Sequence, residues 1–262
     1  MAFFDTHTHL DYLQQFSGEP LSQLLANALA ADVQKILIVA VKESDFATIQ
    51  AMVEAFPQQL RYGLGLHPLY IKAHQTEDLE RLEGALSKCD SRCTALAEIG
   101  LERAIADLLS DELWQKQQYF LESQLYLAKQ YRLSVSLHSR KSHDQLLTFL
   151  KRADLPKGGV LHGFSGSYEQ AKRFVDLGYK IGVGGTITYA RANKTRQAIA
   201  KLPLEALVLE TDSPDMPVFG FQGQPNRPER IVQTFEALCS LRGEGAEEIR
   251  EMLWQNSLNL FA

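Results

Sequence analysis

The 262-residue chain has little cysteine and no long apolar run. Its three cysteines, Cys89, Cys93 and Cys239, fit neither a disulfide framework nor a thiolate zinc site, so we predict that they only pack against other residues. No segment approaches the roughly eighteen uninterrupted apolar residues of a membrane helix, and the N-terminus lacks the basic and apolar regions of a signal peptide. We therefore expect a cytoplasmic protein without membrane association.

An excess of positive charge is also absent. The chain has 27 Lys and Arg against 32 Asp and Glu, and its formal net charge is −5. A surface that coats a nucleic-acid duplex needs many cations facing phosphates, so this balance argues against one but leaves a local phosphate site open. There is no linker rich in Pro, Gly or Ser and no low-complexity run, so residues 1–262 are expected to form a single domain.

Short apolar runs alternate with helical segments along the chain. Strands are predicted at 2–7, 35–41, 61–67, 94–100, 133–138, 159–164, 179–185 and 207–212. Helices are predicted at 21–32, 44–56, 76–88, 112–131, 142–152, 167–178, 193–202, 228–241 and 246–261. Eight strands alternating with helices predict an α/β fold, a (β/α)8 barrel of the TIM type. The alternative is an open doubly wound sheet, but no G-x-G-x-x-G follows the first strand.

Potential metal ligands lie at the ends of six predicted strands. They are His7 with His9, His67, Glu98, His138, His162 and Asp212. In a barrel the carboxyl ends of the strands converge on one mouth, where the active sites of such enzymes are built. Nitrogen and oxygen ligands without a thiolate suit Zn²⁺, Mn²⁺ or another divalent ion. The ligand count exceeds that of one tetrahedral site and favours two ions, with Glu98 central enough in strand order to bridge them.

The motifs themselves resemble those of a known family. DTHTHLD at 5–11, GLHP at 65–68, AEIGL at 97–101, LHSR at 137–140, HGFSG at 162–166, GVGGTIT at 182–188 and LETDSPDMP at 209–217 run in order over nearly the whole chain. This set is similar to that of the TatD family of metal-dependent deoxyribonucleases, in the amidohydrolase superfamily. The resemblance implies a hydrolase that cleaves DNA phosphodiester bonds with a metal-activated hydroxide, with 3′–5′ exonuclease action as one form.

The resemblance also implies an assignment of metal ligands. His7 and His9 would hold one ion, His138 and His162 the other, and Glu98 would bridge both. The expected cofactors are two divalent metal ions, Zn, Mg or Mn, and the expected partner is DNA as substrate, with no obligate protein partner. 

Two further residues receive roles from the resemblance. Asp212 would bind at the metal site and handle the proton of the attacking water. His67 would contact the scissile phosphate or the leaving group. The predicted catalytic set is therefore Asp212, Glu98 and His67.

Two other functions are weighed against this one. The first is an amidohydrolase acting on a small ester, lactone or amide, and the second is a metal-loaded binding module without turnover. Many amidohydrolases carry a carbamylated Lys where this chain has Glu98, which favours the nuclease branch. A complete ligand set together with a candidate base at Asp212 argues against the binding module.

Substrate contacts are predicted after the fifth and seventh strands. Gly182, Gly184 and Gly185 would expose backbone N–H groups to a phosphate, or would only make a tight turn. The nearby cations either form a basic rim at the mouth of the barrel or are ordinary solvent-exposed side chains at the starts of helices. These cations are Arg140, Lys141, Arg191, Lys194 and Arg196. The substrate-binding candidates are His67, Arg140, Gly184 and Gly185.

Four more residues carry expectations. His74 and His143 lie in polar stretches and are expected on the surface, with His143 a minor substrate-contact candidate. Asp5 is expected either to orient a ligand histidine or to be a structural residue of its strand, rather than to be a ligand itself. Glu102 stands where the family pattern usually has Asp, and its longer side chain is expected to affect substrate fit more than metal binding.

Overall fold

The structure is a computed structural model that describes residues 2–262. Within this range the chain forms eight strands and ten α-helices. The strands are β1 (Phe3–Thr8), β2 (Val33–Val39), β3 (Leu60–Leu64), β4 (Cys93–Glu102), β5 (Ser134–Arg140), β6 (Gly159–Leu161), β7 (Lys180–Val183) and β8 (Leu207–Leu209). The helices are α1 (Leu10–Ser17), α2 (Leu21–Ala30), α3 (Phe46–Ala55), α4 (Thr76–Leu86), α5 (Asp111–Gln130), α6 (His143–Ala153), α7 (Tyr168–Val175), α8 (Asn193–Lys201), α9 (Ile231–Leu241) and α10 (Ala246–Phe261).

The strands form one parallel sheet in the order β1 to β8, which curls into a barrel. The last strand returns to the first through backbone hydrogen bonds. The N–H of Asp212 donates to the carbonyl of His7 at 2.9 Å, and the N–H of His9 donates to the carbonyl of Ser213 at 2.7 Å. The predicted (β/α)8 barrel is confirmed.

Buried side chains reinforce this seam between β1 and the end of β8. The Asp5 carboxylate accepts a hydrogen bond from the N–H of Thr211 at 2.9 Å and another from its hydroxyl at 2.6 Å. The Thr6 hydroxyl donates to the carbonyl of Leu209 at 2.8 Å. Side chains are needed here because the backbone pairing is confined to an isolated bridge between Thr8 and Ser213. Asp5 therefore binds Thr211 rather than the side chain of a candidate ligand histidine.

The apolar core lies on both sides of the sheet. Along β2, Ile36 and Ile38 belong to the cluster between the barrel and its helices, whereas Leu37 and Val39 belong to a cluster inside the barrel. This alternation is the period of two expected for a strand. Phe4 of β1 packs on Phe261 of α10 inside the barrel, with ring centroids 6.3 Å apart. Apolar side chains therefore fill the barrel near the start of β1, which leaves polar side chains for the opposite end.

The observed elements differ from the prediction at several boundaries. Helix α1 was not predicted, because it begins at Leu10 directly after the histidine motif and has only eight residues. Strands β6 and β8 end at Leu161 and Leu209, so His162 and Asp212 lie in loops rather than in strands. Both loops leave the extended conformation, with φ of 55° at Gly163 and 57° at Asp212. These residues therefore follow their strands into the mouth of the barrel.

Two expectations from composition concern cysteine and the membrane. All three cysteines are free; Cys93 is buried, and Cys89 and Cys239 are half-buried. Among the helices of residues 2–262, none has both the length and the apolar character to cross a membrane.

The seam between β1 and β8 yields a prediction for stability. Replacing Asp5→Ala leaves the N–H and hydroxyl of Thr211 without their buried acceptor and should lower the free energy of unfolding by about 2–4 kcal/mol. Thr211→Val removes only the hydroxyl bond and should cost about 1 kcal/mol. Urea unfolding of the metal-free protein measures both. Equal stability of Asp5→Ala and the parent protein would show that the seam does not depend on this carboxylate.

Candidate metal centre

The carboxyl mouth of the barrel opens into a cavity of about 910 Å³. Six of the seven candidate site residues at strand ends line it: His9, His67, Glu98, His138, His162 and Asp212. The seventh, His7, is fully buried beneath them. The structure thus brings together all seven side chains that the sequence places at strand ends.

Glu98 of β4 stands at the centre of this group and is 2% exposed. Its two carboxylate oxygens face two different sets of imidazoles. Oε2 lies 3.2 Å from Nε2 of His7 and 3.4 Å from Nε2 of His9. Oε1 lies 2.8 Å from Nε2 of His67, 3.1 Å from Nδ1 of His138 and 2.6 Å from Nε2 of His162. One carboxylate therefore joins ligands from both halves of the barrel.

Asp212 completes the set on the Oε2 side. Its Oδ1 lies 3.6 Å from Nε2 of His7 and 3.6 Å from Nε2 of His9. The two histidines of the opening motif thus direct the same ring nitrogen at the same carboxylate, as their spacing of two predicts. The donor atoms of His7, His9 and Asp212 lie within 4.8 Å of one another.

Hydrogen bonds on the far side of two rings determine which nitrogen faces the centre. Nδ1 of His9 lies 3.1 Å from the carbonyl of Val39, and Nε2 of His138 lies 3.1 Å from Oε2 of Glu102. Because carbonyl and carboxylate oxygens only accept hydrogen bonds, these nitrogens carry the protons. In the neutral rings, Nε2 of His9 and Nδ1 of His138 are then the nitrogens without a proton, and these nitrogens can bind a metal ion.

His67 has the opposite arrangement. Its Nδ1 accepts a hydrogen bond from the N–H of Leu69 at 3.0 Å, so in the neutral ring Nε2 carries the proton and donates to Glu98. Nε2 of His74 donates to the carbonyl of His67 at 3.0 Å, and the His74 ring stacks on Phe120. His67 therefore presents a donor to the cavity, and His74 fixes its backbone.

The pKa values of the carboxyl and imidazole groups at the centre reflect how closely these groups are packed. Burial raises the pKa of Glu98, but the neighbouring His162, His67 and His7 outweigh it and hold this pKa well below its usual range. Burial lowers the pKa of His162, but Glu98 outweighs it and raises this pKa to about 10. The pKa of His9 rises to about 9 for the same reason. Burial raises the pKa of Asp212 to about 6, against the opposing charges of His162 and His9.

The donor set fits divalent metal ions. Within residues 2–262, no Lys or Arg forms an ion pair with Glu98 or Asp212, so the positive charge near them comes from imidazolium groups or from bound cations. Both ring nitrogens of His162 are buried, and neither makes a well-aligned hydrogen bond, although Nε2 lies 2.6 Å from Oε1 of Glu98. Imidazole nitrogens and carboxylate oxygens are ligands of Zn²⁺ and Mn²⁺, and an unpaired buried nitrogen is explained if it binds one.

The predicted glycine contacts have a different structural explanation. Gly184 and Gly185 are buried and do not line the central cavity. A Cβ on Gly182 would lie 2.1 Å from the buried Glu210, and a Cβ on Gly185 would lie 2.6 Å from the carbonyl of Met216. The glycines are thus needed for close packing against the loop after β8, and the structure does not support direct substrate contact by Gly184 or Gly185.

Three other expectations are corrected. His74 and His143 are 2% and 9% exposed, so the prediction that they lie on the surface is wrong. His143 lines the cavity, where its Nδ1 lies 2.9 Å from the Ser139 hydroxyl. Glu102 is fully buried and contacts the candidate ligand His138, so its effect falls on the metal centre and not only on substrate fit.

Two supporting residues were missed by sequence reasoning. The Ser136 hydroxyl lies 2.8 Å from Nδ1 of His7. Ser136 precedes His138 by two residues in β5, and this period-two spacing is a signal that could have found it. Glu210 accepts a hydrogen bond from the N–H of Gly163 at 2.5 Å, and its spacing of two from Asp212 is a similar signal.

The five predicted cations lie in different surroundings. Arg140, with a side chain 61% exposed, and Lys141 line the central cavity. Arg191 lines a neighbouring cleft. Arg196 donates a hydrogen bond to the carbonyl of Ile187, and Lys194 is exposed on α8. The basic rim therefore contains three of the five cations.

Buried histidines and carboxylates at the carboxyl mouth of a (β/α)8 barrel define a metal-dependent hydrolase. The chain belongs to the family described as TatD related DNase, which matches residues 4–262. The family predicted from the motifs is confirmed.

Individual relatives agree with this class. The chain is 73% identical, over 100% of both chains, to an uncharacterized metal-dependent hydrolase of Haemophilus influenzae. It is 52% identical to the metal-dependent hydrolase YjjV of Escherichia coli K12, covering 99% of this chain and 97% of the relative. The crystal structure of the TatD homologue YjjV from Escherichia coli matches with a TM-score of 0.92 at 51% identity, covering 99% of this chain and 97% of that one.

Glu102 gives a prediction for metal binding. Glu102→Ala removes the acceptor that orients His138 and should weaken zinc binding by about 10- to 100-fold, the scale found when such supporting residues are lost. Competition with a chromogenic zinc chelator measures this affinity. Glu80→Ala, an exposed Glu to Ala change on α4, is the matched control and should bind zinc like the parent protein. Unchanged affinity of Glu102→Ala would exclude the orienting role.

Proposed function

We propose that this protein is a deoxyribonuclease that hydrolyses DNA phosphodiester bonds at a dinuclear metal centre. The observation that carries the proposal is the position of Glu98, whose two oxygens face separate sets of imidazoles. A carboxylate with this arrangement can hold two ions side by side. The family match from residue 4 to residue 262 supports one hydrolase domain over the whole chain.

The proposed ligands divide into two groups. His7, His9 and Asp212 would hold the first ion, His138 and His162 would hold the second, and Glu98 would be shared between them. The predominance of imidazole favours zinc among the divalent ions considered, with manganese as the alternative. When bound, two such ions lower the pKa of a water molecule towards neutrality and stabilise the charge on a phosphoryl group.

The remaining steps belong to side chains of the cavity. Asp212 accepts the proton of the attacking water, since its carboxylate lies next to His7 and His9 and, unlike Glu98, does not also contact the imidazoles on the other side. His67 donates its Nε2 proton to an oxygen of the phosphate or of the leaving group, and the bond from Leu69 keeps the ring in the required tautomer.

Two features support a phosphodiester of DNA over a small neutral ester. Arg140 and Lys141 line the cavity and offer positive charge to a phosphate anion. The family is described by a DNase activity. DNA binding would then rest on a local basic rim, which is compatible with the net charge of −5.

Activity on DNA is the direct test. The zinc- or manganese-reconstituted protein should degrade end-labelled single-stranded DNA, whereas Glu98→Ala prepared identically should not. A panel of small esters, lactones and amides is assayed beside it. Turnover of a small ester or amide with intact DNA would keep the hydrolase and overturn the nuclease. Full metal loading without turnover of any substrate would instead favour a binding module.

The bridging role of Glu98 has its own test. Glu98→Ala removes the ligand shared by both sites and should reduce bound metal from two ions per chain to one or fewer. Elemental analysis after gel filtration counts the ions, with Glu80→Ala as the control. Two ions still bound to Glu98→Ala would refute the bridge.

Asp212 is tested by an isosteric change. Asp212→Asn keeps the shape of the side chain but cannot accept the proton, so kcat on DNA should fall by about 100-fold or more. Rates are compared at matched metal content, because Asp212 is also a proposed ligand. Near-normal turnover at equal metal content would remove Asp212 from the proton transfer.

A further inference from the structure

A second cleft adjoins the central cavity. It has a volume of about 250 Å³ and is lined by Thr186, Tyr189, Arg191, Ala192, Met216 and Pro217. Thr186 and Met216 also line the central cavity, so the two spaces adjoin at these residues. A substrate that extends from the metal centre past Thr186 and Met216 would therefore reach this cleft.

The cleft contains a positive charge and the half-buried ring of Tyr189, and the exposed ring of Phe219 lies next to Tyr189. The guanidinium of Arg191 lies 5.1 Å from the ring centroid of Tyr189. Within residues 2–262, Arg191 forms no ion pair with an acidic side chain, so its charge is available to a ligand. The ring of Phe219 meets that of Tyr189 edge to face at 5.9 Å and is 65% exposed. An exposed aromatic ring is costly to hydrate, and the cation beside it lacks an anionic partner. Together they suit a ligand that carries both a flat ring and an anionic group.

Hydrogen bonds fix these aromatic residues in place. The hydroxyl of Tyr189 donates to the carbonyl of Pro217 at 2.7 Å, and the N–H of Phe219 donates to the hydroxyl of Thr188 at 2.8 Å. Both bonds join the loop after β7 to the loop after β8. The rings are therefore held before a ligand arrives, which reduces the entropy lost on binding.

We propose that this cleft is a nucleotide subsite that binds the part of a single-stranded DNA substrate next to the nucleotide at the metal centre. Arg191, which packs on the ring of Tyr189, binds a backbone phosphate, and the exposed ring of Phe219 stacks on a base. Stacking on aromatic rings requires an unpaired base, so the subsite favours single-stranded DNA over a duplex. This inference rests on the proposed function and extends it from a phosphodiester to a polymer.

The test measures binding and cleavage separately. Fluorescence anisotropy with labelled octathymidylate, in chelator to prevent turnover, gives the Kd, and digestion of the same oligonucleotide by the metal-loaded protein gives activity. We expect Arg191→Ala to raise Kd about tenfold and to reduce the salt slope by about one. Phe219→Ala should raise Kd at least fivefold through lost stacking.

A matched control comes from helix α6. Arg152 of α6 is exposed and lies 5.9 Å from the ring centroid of Phe149, the same type of contact away from the cavity. Arg152→Ala removes an equal charge and should leave both Kd and salt slope unchanged. If it weakens binding as much as Arg191→Ala, the effect is one of overall charge and the subsite is refuted.

The outcomes separate this inference from the proposed function. Cleavage of the oligonucleotide with unchanged Kd in both Arg191→Ala and Phe219→Ala refutes the subsite and keeps the nuclease. Binding that depends on Arg191 and Phe219 without cleavage supports the subsite and overturns the nuclease. A parent protein that neither binds nor cleaves octathymidylate overturns both.

Discussion

The site depends on one buried carboxylate surrounded by imidazoles. Glu98 is almost completely shielded from water, and five histidines lie within hydrogen-bond or ion-pair distance of it. Positive charge beside a buried ionised carboxylate offsets the cost of removing it from water. Protonated histidines or metal ions can supply that charge, and the (β/α)8 barrel provides the geometry because five different strands deliver their ends to one mouth.

The residues behind the ligands determine what each ring can do. Val39 and Glu102 each place the proton of a histidine on the outer nitrogen, which leaves the inner nitrogen of His9 and His138 free for a metal ion. Leu69 does the reverse for His67, which becomes a donor. Three histidines of similar burial therefore acquire different chemical roles from single hydrogen bonds on their far sides.

The loops after β7 and β8 act together. The glycines of the first loop allow close packing against Glu210 and Met216, while the second loop carries Asp212 into the centre. The same pair of loops holds Tyr189 and Phe219 beside Arg191. The closely packed glycines and the proposed nucleotide subsite thus lie next to each other on one edge of the mouth.

The sequence by itself determined the barrel, its eight strands and the seven polar residues at their ends, because period-two and helical patterns record which face of each element is buried. It did not determine the short helix α1, the burial of His74 and His143, or the contact between Glu102 and His138. Those depend on neighbours distant in sequence. Only the tertiary structure decided which nitrogen of each histidine faces Glu98 and that Arg191, rather than Arg196, meets an open cleft, because hydrogen-bond partners and free space are properties of the packed chain.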